Sequence, residues 1–246
     1  MLRIGHKGAD AIRPGNTLES FTAAVEAGVD AIEFDVLRPR ADFADPAAWR
    51  TAPAGPARSP GGPLLVAHDW GDAARREPLT LAEALDAFTR PPLDRVRIDL
   101  DLKVAGREDE VVAALRERDL LERAMVSTME VRSLHFLREH EPALQRGWTL
   151  PRVHRDWNSK RWARPLVLAG SAAFRARLPA LVHAHAPRLG VWSIWVFHSL
   201  ITPRLVRAAH RRKVAVIAWT VDDADRIAAL RALGVDGICS NDPRLL

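Results

Sequence analysis

The chain has 246 residues, 48% of them hydrophobic, which is enough for one large core, so we expect a single domain spanning residues 1–246. A single cysteine, Cys239, excludes an intramolecular disulfide and argues against a cysteine-based zinc site. The formal net charge of +5 favours anionic partners without identifying one. The N-terminus lacks the apolar segment of a signal peptide, and no later run is long enough to span a membrane. We therefore expect a cytoplasmic protein with at most peripheral membrane contact.

Short runs rich in β-formers alternate with helical patterns from the first residues onward. A strand is predicted at 2–5, and the capping-box pattern of residues 16–19 starts a helix that Gly28 ends. Further strands are predicted at 31–36, 95–102, 124–127, 146–150, 189–196, 214–221 and 236–240. Helices are predicted between them, including 108–122, 131–140, 203–212 and 223–233.

This alternation predicts βαβ units, and eight parallel strands are the number that closes a (β/α)₈ TIM barrel of the α/β class. Residues 64–68 also have the composition of a strand, but the Pro- and Gly-rich segment before them offers no helical crossover. We therefore place 64–68 outside the barrel, as a return strand or rim extension. Residues 40–62 are interpreted as a surface loop inserted after the second barrel strand.

Two barrel strands carry charged residues at alternate positions. Glu33 and Asp35 share one face of the second strand, and Asp99, Asp101 and Lys103 share one face of the third. Catalytic groups of a TIM barrel gather at the C-terminal ends of its strands, so we expect these carboxylates to meet in one confined space. Buried carboxylates need compensation. The pattern therefore indicates either a hard divalent cation (Mg²⁺, Ca²⁺ or Mn²⁺) or a network of buried salt bridges, and Asp99 is interpreted as a salt-bridge partner of Lys103 or of an arginine.

Two histidines follow predicted β-rich runs. His6 ends the first strand in IGHKG, and His68 ends the 64–68 run in LLVAHD, which places both near the same rim of the barrel. An imidazole with a pKa of about 6.5 can take or give a proton at neutral pH. The two histidines beside the acids indicate acid and base chemistry next to a metal.

Seven short motifs occur in order along the chain: H-K-G at 6–8, P-G-N-T at 14–17, E-F-D at 33–35, H-D at 68–69, D-L-K at 101–103, W-T-V at 219–221 and G-V-D-G at 234–237. Together they resemble the glycerophosphodiester phosphodiesterase family. Its usual pattern is H-R-G, P-E-N-T, E-x-D, H-D, E-x-K, W-T-V and a closing G-V-D-G-I-I-T-D-x-P, which reads GVDGICSNDP here. The order and spacing of the motifs carry the resemblance.

The resemblance implies a metal-dependent TIM-barrel hydrolase that cleaves glycerophosphodiesters to glycerol 3-phosphate and an alcohol. It implies one divalent cation, Mg²⁺ or Ca²⁺ with Mn²⁺ as a further option, held by three acids: Glu33, Asp35 and Asp101. It implies a general acid and general base pair: His6 and His68. It implies contacts to the phosphate from two lysines and to the alcohol or glycerol part from a tryptophan: Lys7, Lys103 and Trp219.

Three positions depart from the family pattern. Gly15 replaces the glutamate of P-E-N-T, which implies a weaker or more hydrated metal shell. Lys7 replaces arginine, which exchanges a bidentate fork for a point charge. Asp101 replaces glutamate and is similar to the ligand of sphingomyelinase D-like phospholipases. A lysophospholipase D or sphingomyelinase D-like lipid phosphodiesterase and a non-catalytic pseudoenzyme that binds phosphate esters therefore stay as alternatives.

Residues 151–165 combine five basic residues with two tryptophans. This segment follows the predicted fifth strand, so it is either a clamp for an anionic head group or a loop whose tryptophans pack on the barrel. No nucleic-acid motif accompanies the basic residues, so we expect a small-molecule phosphodiester as the partner and no nucleic acid.

Overall fold

The computed structural model describes the backbone of residues 1–39, 61–152 and 164–246, and the side chains of these residues apart from 164–169. Within these ranges, eight parallel strands close into a barrel in chain order, which confirms the predicted TIM barrel. The strands are β1 Leu2–His6, β2 Ala31–Val36, β3 Arg97–Leu102, β4 Ala124–Thr128, β5 Gln145–Leu150, β6 Ser193–Phe197, β7 Ala215–Trp219 and β8 Gly237–Ser240. The predicted loop at 40–62, apart from its last two residues, and residues 153–163 of the basic segment lie outside the described residues.

Helices surround the barrel. They are α1 Leu18–Glu26, α2 Trp70–Arg75, α3 Leu81–Ala87, α4 Glu108–Arg116, α5 Val131–His140, α6 Arg164–Leu189, α7 Pro203–His210 and α8 Ala224–Ala232. The capping box of α1 forms one residue later than the predicted 16–19, between Thr17 and Ser20: the Thr17 hydroxyl accepts from the Ser20 amide, and the Ser20 hydroxyl accepts from the Thr17 amide. Among the described helices, none combines the length and apolarity needed to cross a lipid bilayer.

Several predicted boundaries move for local reasons. The helix predicted at 108–122 ends at Arg116, because the chain turns at Asp119, whose φ is +55°, and a 3₁₀ turn follows at Leu121–Arg123. The strand predicted from residue 189 begins at Ser193, since α6 continues to Leu189. The strand predicted at 64–68 is reduced to Leu65, which forms antiparallel bridges to Leu37 and Thr80 outside the barrel.

The alternation of side chains along the strands separates two layers of apolar packing. The outward-facing residues of β2 and β3 pack against the helices, where Phe21, Phe34 and Phe88 form a cluster with ring centroids 5.4 to 5.7 Å apart. Burying each such ring stabilises the fold by about 1.5–3 kcal/mol. Inward-facing residues such as Ile4 and Ile217 fill much of the lower part of the barrel, below the C-terminal mouth.

Candidate active site

The acidic residues of β2 and β3 lie side by side in the barrel. Glu33 pairs in register with Asp99, and Asp35 pairs with Asp101. His6, the last residue of β1, is in register with Glu33 on its other side. Three neighbouring strands therefore direct the predicted metal ligands and one predicted catalytic histidine into the same mouth.

The three predicted ligands form a compact cluster. One carboxylate oxygen from each of Glu33, Asp35 and Asp101 lies within 4.8 Å of the other two, and all three residues are buried. The Lys103 ammonium lies 2.5 Å from Asp35 Oδ1 and 2.5 Å from Asp101 Oδ2. Three carboxylates and one ammonium leave two negative charges uncompensated, so the donor set suits one hard divalent cation. The cluster and the salt bridges considered from the sequence are thus present together.

Burial and the charges of neighbouring groups shift the pKa values in this cluster in different directions. Burial, and then the Asp35 carboxylate, raise the pKa of Glu33 well above its usual value. Burial acts to raise the pKa of Asp35 too, but the Lys103 ammonium and the histidines outweigh it and hold the pKa well below the usual range. For Lys103, burial acts to lower the pKa, but Asp101, Asp35 and Glu33 outweigh it and raise the pKa. A cation bound among these oxygens would offset the repulsion that raises the pKa of Glu33.

Asp99 lies one layer deeper in the barrel than the ligand cluster. It is fully buried and accepts a hydrogen bond from Ser127 Oγ at 2.7 Å. Burial raises the pKa of this carboxyl well above its usual value. Among the described residues Asp99 forms no salt bridge with a lysine or an arginine, so the predicted pairing was wrong there; the Lys103 ammonium turns towards the mouth and contacts Asp35 and Asp101.

His6 is held by a hydrogen-bonded chain that the motifs did not reveal. Its Nδ1 lies 2.6 Å from Asn241 Oδ1, while Asn241 Nδ2 donates to Asp222 Oδ2 at 2.6 Å. Because Asp222 fixes the amide, Nδ1 of His6 carries the proton and Nε2, 3.9 Å from Glu33 Oε2, is left as a base. Burial lowers the pKa of His6, which favours the neutral ring. Asn241 is a further departure from the family pattern, which has aspartate there, and this difference was the available signal.

His68 reaches the same mouth from outside the barrel. It precedes α2, and it lines a cavity of about 320 Å³ together with His6, Glu33 and Lys103. Its Nδ1 lies 3.2 Å from Asp69 Oδ2, and Asp69 also caps α2. His6 and His68 therefore lie near the same rim of the barrel, as the sequence predicted.

Asn16 supports the carboxylate cluster, a role that its place in the capping-box pattern and in the P-G-N-T motif did not indicate. Its φ is +61°, and its Nδ2 donates to Asp35 Oδ2 at 2.7 Å while its Oδ1 accepts from the Asp35 amide at 3.1 Å. This reciprocal pair fixes the direction of the Asp35 carboxylate.

Lys7 and Gly15 meet around one aspartate. The Lys7 backbone amide donates to Glu33 Oε2 at 2.9 Å, and its Nζ lies 3.7 Å from Asp10 Oδ2. The Gly15 amide donates to Asp10 Oδ1 at 2.7 Å, and a Cβ at position 15 would lie only 2.5 Å from that oxygen. The Asp10 carboxylate therefore occupies the space that a side chain at position 15 would need. It also places an acidic group next to position 15, where the family pattern has glutamate.

The far wall of the cavity is aromatic and apolar. Trp219, the predicted contact to the alcohol or glycerol part, lines this wall together with Trp195, Met129 and Thr149. The rings of Trp219 and Phe197 pack edge to face with centroids 5.6 Å apart. The wall of the mouth formed by β1 to β3 thus carries charged side chains, and the opposite wall, formed by β4 to β7, is uncharged.

Two proteins with similar sequences are named glycerophosphodiester phosphodiesterases. The chain is 45% identical over 56 residues to the glycerophosphodiester phosphodiesterase GDPD4 of Arabidopsis thaliana, a match that covers 23% of this chain and 17% of that protein. It is 24% identical to a glycerophosphodiester phosphodiesterase of Caldanaerobacter subterraneus subsp. tengcongensis, over all of this chain and 96% of that one.

Solved structures share the fold. An Oleispira antarctica phosphodiesterase, solved in complex with the product sn-glycerol-3-phosphate, superimposes with a TM-score of 0.66 at 16% identity, over 98% of this chain and 93% of that chain. A glycerophosphodiester phosphodiesterase from Parabacteroides distasonis gives a TM-score of 0.68 at 16% identity, over 97% of this chain and 91% of that one.

A family model matches on both sides of the 40–80 region. The model of the glycerophosphoryl diester phosphodiesterase family matches residues 6–39 and 81–245. These ranges include the three clustered acids and His6, while His68 lies in the unmatched stretch. Because the match extends over most of the barrel, the chain belongs to the glycerophosphoryl diester phosphodiesterase family and is an enzyme of that family.

Proposed function

We propose that this enzyme hydrolyses glycerophosphodiesters to glycerol 3-phosphate and an alcohol, using one divalent cation and two histidines. The observation that carries the proposal is the convergence of His6, His68 and the buried carboxylate cluster on one cavity at the barrel mouth. A phosphodiester is an anion that resists nucleophilic attack, so its hydrolysis needs both positive charge at the phosphoryl oxygens and managed proton transfer.

Glu33, Asp35 and Asp101 are the residues that would hold the cation. Their oxygens are the hard ligands that Mg²⁺, Ca²⁺ and Mn²⁺ prefer, and their net charge with Lys103 suits a divalent ion. When bound, the ion supplies positive charge that polarises the phosphoryl group. Lys103 adds positive charge in the same cavity, and Lys7 adds it in the neighbouring cavity that His68 also lines.

The hydrogen-bond partners of the histidines support different roles for them. His6 presents an unprotonated Nε2 and takes the proton from the attacking oxygen as that oxygen bonds to phosphorus. His68, oriented by Asp69, gives a proton to the alcohol oxygen as its bond to phosphorus breaks. The transferred protons balance over the complete reaction, and each histidine returns to its starting form by exchange with water.

Substitution of one residue of each kind tests the proposal. Release of glycerol 3-phosphate from glycerophosphodiesters, measured with Mg²⁺ or Ca²⁺ present, should fall by roughly 10²–10⁴-fold in His6→Ala. Glu33→Ala should lose activity and require a higher cation concentration. The exposed residues Glu19 and His140 provide matched controls as Glu19→Ala and His140→Ala. Unchanged hydrolysis in both His6→Ala and Glu33→Ala contradicts the proposal.

Two observations favour a lipid substrate as the second candidate. Asp101 occupies the position where sphingomyelinase D-like phospholipases also have aspartate, and Phe197 at the mouth is 38% exposed. Product analysis across glycerophosphocholine, glycerophosphoethanolamine, lysophosphatidylcholine and sphingomyelin separates these activities. The alternative of a non-catalytic pseudoenzyme requires that phosphate esters bind in the presence of a chelator and that no product forms after the cation is restored.

A further inference from the structure

The basic residues of the chain are concentrated on one side of the barrel. Residues 157–221 contain eleven arginines and lysines and no aspartate or glutamate, whereas the rest of the chain contains 25 basic and 31 acidic residues. Among the described residues, this stretch forms α6, β6, α7 and β7. The two helices pack against each other, and Arg212 Nη2 lies 2.7 Å from His183 Nε2. One side of the barrel therefore carries an excess of positive charge that the net charge of the whole chain conceals.

These charges lie on the outer surface of the two helices. Arg204, Arg207 and Arg211 are spaced by three and four residues, so they share one exposed face of α7. Leu205 and Val206 lie between them in sequence and are buried in the core. We call the exposed set on α6 and α7 the basic face, and it consists of Arg175, Arg177, Arg204, Arg207, Arg211 and Lys213.

The basic face lacks the carboxylates that accompany arginines elsewhere in the molecule. Arg76 pairs with Asp72 at 3.0 Å, and Arg118 pairs with Asp86 at 2.7 Å. By contrast, no residue of the basic face forms a salt bridge with another residue that the structure describes. Like charges gathered on one surface repel each other, and a bound polyanion relieves that repulsion.

The uncharged residues exposed among the arginines are small. On α6 they include Ala176, Ala180 and Ala184. Residues 170–213 contain no asparagine or glutamine, and the described parts of α6 and α7 expose no phenylalanine, tryptophan or tyrosine. Amide side chains read the edges of bases, and aromatic rings stack on unpaired bases. The face therefore suits an array of phosphate groups better than it suits a nucleic-acid sequence.

We propose that the basic face docks the enzyme on an anionic phospholipid surface. Each arginine or lysine close to such a surface strengthens binding by about fivefold, so several of them together hold a protein there. Phe197, which ends β6 just before α7 and is 38% exposed, adds an aromatic ring that enters the head-group region. The face lies outside the cavity of the proposed hydrolysis, so docking is a property beyond that reaction.

Flotation of the enzyme with lipid vesicles tests the proposal. The enzyme should bind vesicles of phosphatidylcholine with about 30% phosphatidylglycerol at low salt, and it should not bind vesicles of phosphatidylcholine alone. Binding should be lost in about 1 M salt, where the Debye length is about 3 Å. Arg207→Gln with Arg211→Gln should weaken binding to the anionic vesicles by roughly 20-fold, because each substitution removes one charge from the face.

Arg90→Gln with Arg95→Gln is the matched control, since it removes two exposed charges between α3 and β3, outside the basic face. It should leave vesicle binding close to that of the wild type. No binding to anionic vesicles at low salt, equal binding to neutral vesicles, or equal losses in the two double variants overturns the proposal. Tighter binding to a duplex DNA fragment than to vesicles at the same phosphate concentration also overturns it and assigns the face to nucleic acid. Hydrolysis of a water-soluble glycerophosphodiester should stay at the wild-type level in both double variants, so a failure of the proposed function is detected separately.

Discussion

The ammonium of Lys103 lies 2.5 Å from the buried carboxylate of Asp35. The same ammonium contacts Asp101, so one lysine links two of the three proposed metal ligands. The pairing compensates part of the negative charge of the cluster before any cation binds.

Lys103→Met should therefore destabilise the cation-free enzyme strongly. Removing one partner of a buried ion pair costs about 3–5 kcal/mol, because the other charges are left uncompensated. Urea unfolding in a chelator should show this loss, and saturating Mg²⁺ or Ca²⁺ should recover much of it, since binding to the folded state stabilises it. A variant as stable as the wild type in chelator shows that Lys103 does not compensate the cluster.

Asp99 provides a pH-dependent prediction. Its pKa is raised in the folded protein, so its stabilising contribution is complete below the unfolded pKa of about 3.9 and is lost as pH rises towards the folded pKa. Asp99→Asn removes this dependence while keeping an acceptor for Ser127. The stability of Asp99→Asn relative to wild type should rise with pH by up to about 1.4 kcal/mol per unit within this window. Urea unfolding in chelator at several pH values measures it, and a difference that falls with pH contradicts the assignment.

The chain from Asp222 through Asn241 to His6 should control the protonation of the base. Asn241→Leu leaves Nδ1 of His6 without its acceptor, and kcat should fall by roughly 10–100-fold with little change in KM. The exchanged pair Asp222→Asn with Asn241→Asp places a carboxylate next to His6. This charge raises the pKa of His6, so the acidic limb of the pH–rate profile should move to higher pH while activity is retained. If the acidic limb stays at the same pH, the side-chain amide of Asn241 only supports the loop and does not control the protonation of His6.

The sequence was sufficient for the parts of the site that follow from strand periodicity. Glu33, Asp35 and Asp101 sit at alternate positions on adjacent strands, so their convergence followed from the barrel alone. The support of His6 could not be predicted in this way, because Asn241 and Asp222 come from loops at the other end of the chain. The sequence also could not show which carboxylates Lys103 contacts. Lys103 and Asp99 share a strand face, but they lie at different depths in the barrel.

The departure at Gly15 leads to a prediction about packing. A Cβ at position 15 would lie 2.5 Å from Asp10 Oδ1 and 2.8 Å from the Lys7 Cβ, and Lys7 is itself held at a φ of +50°. Gly15→Ala should therefore cost about 1–3 kcal/mol. Asp10→Ala with Gly15→Ala removes the carboxylate side of the clash, so the double variant should be more stable than the sum of the single changes allows. Urea unfolding of the four proteins measures this coupling. Strict additivity would mean that Asp10 does not determine why glycine stands at position 15.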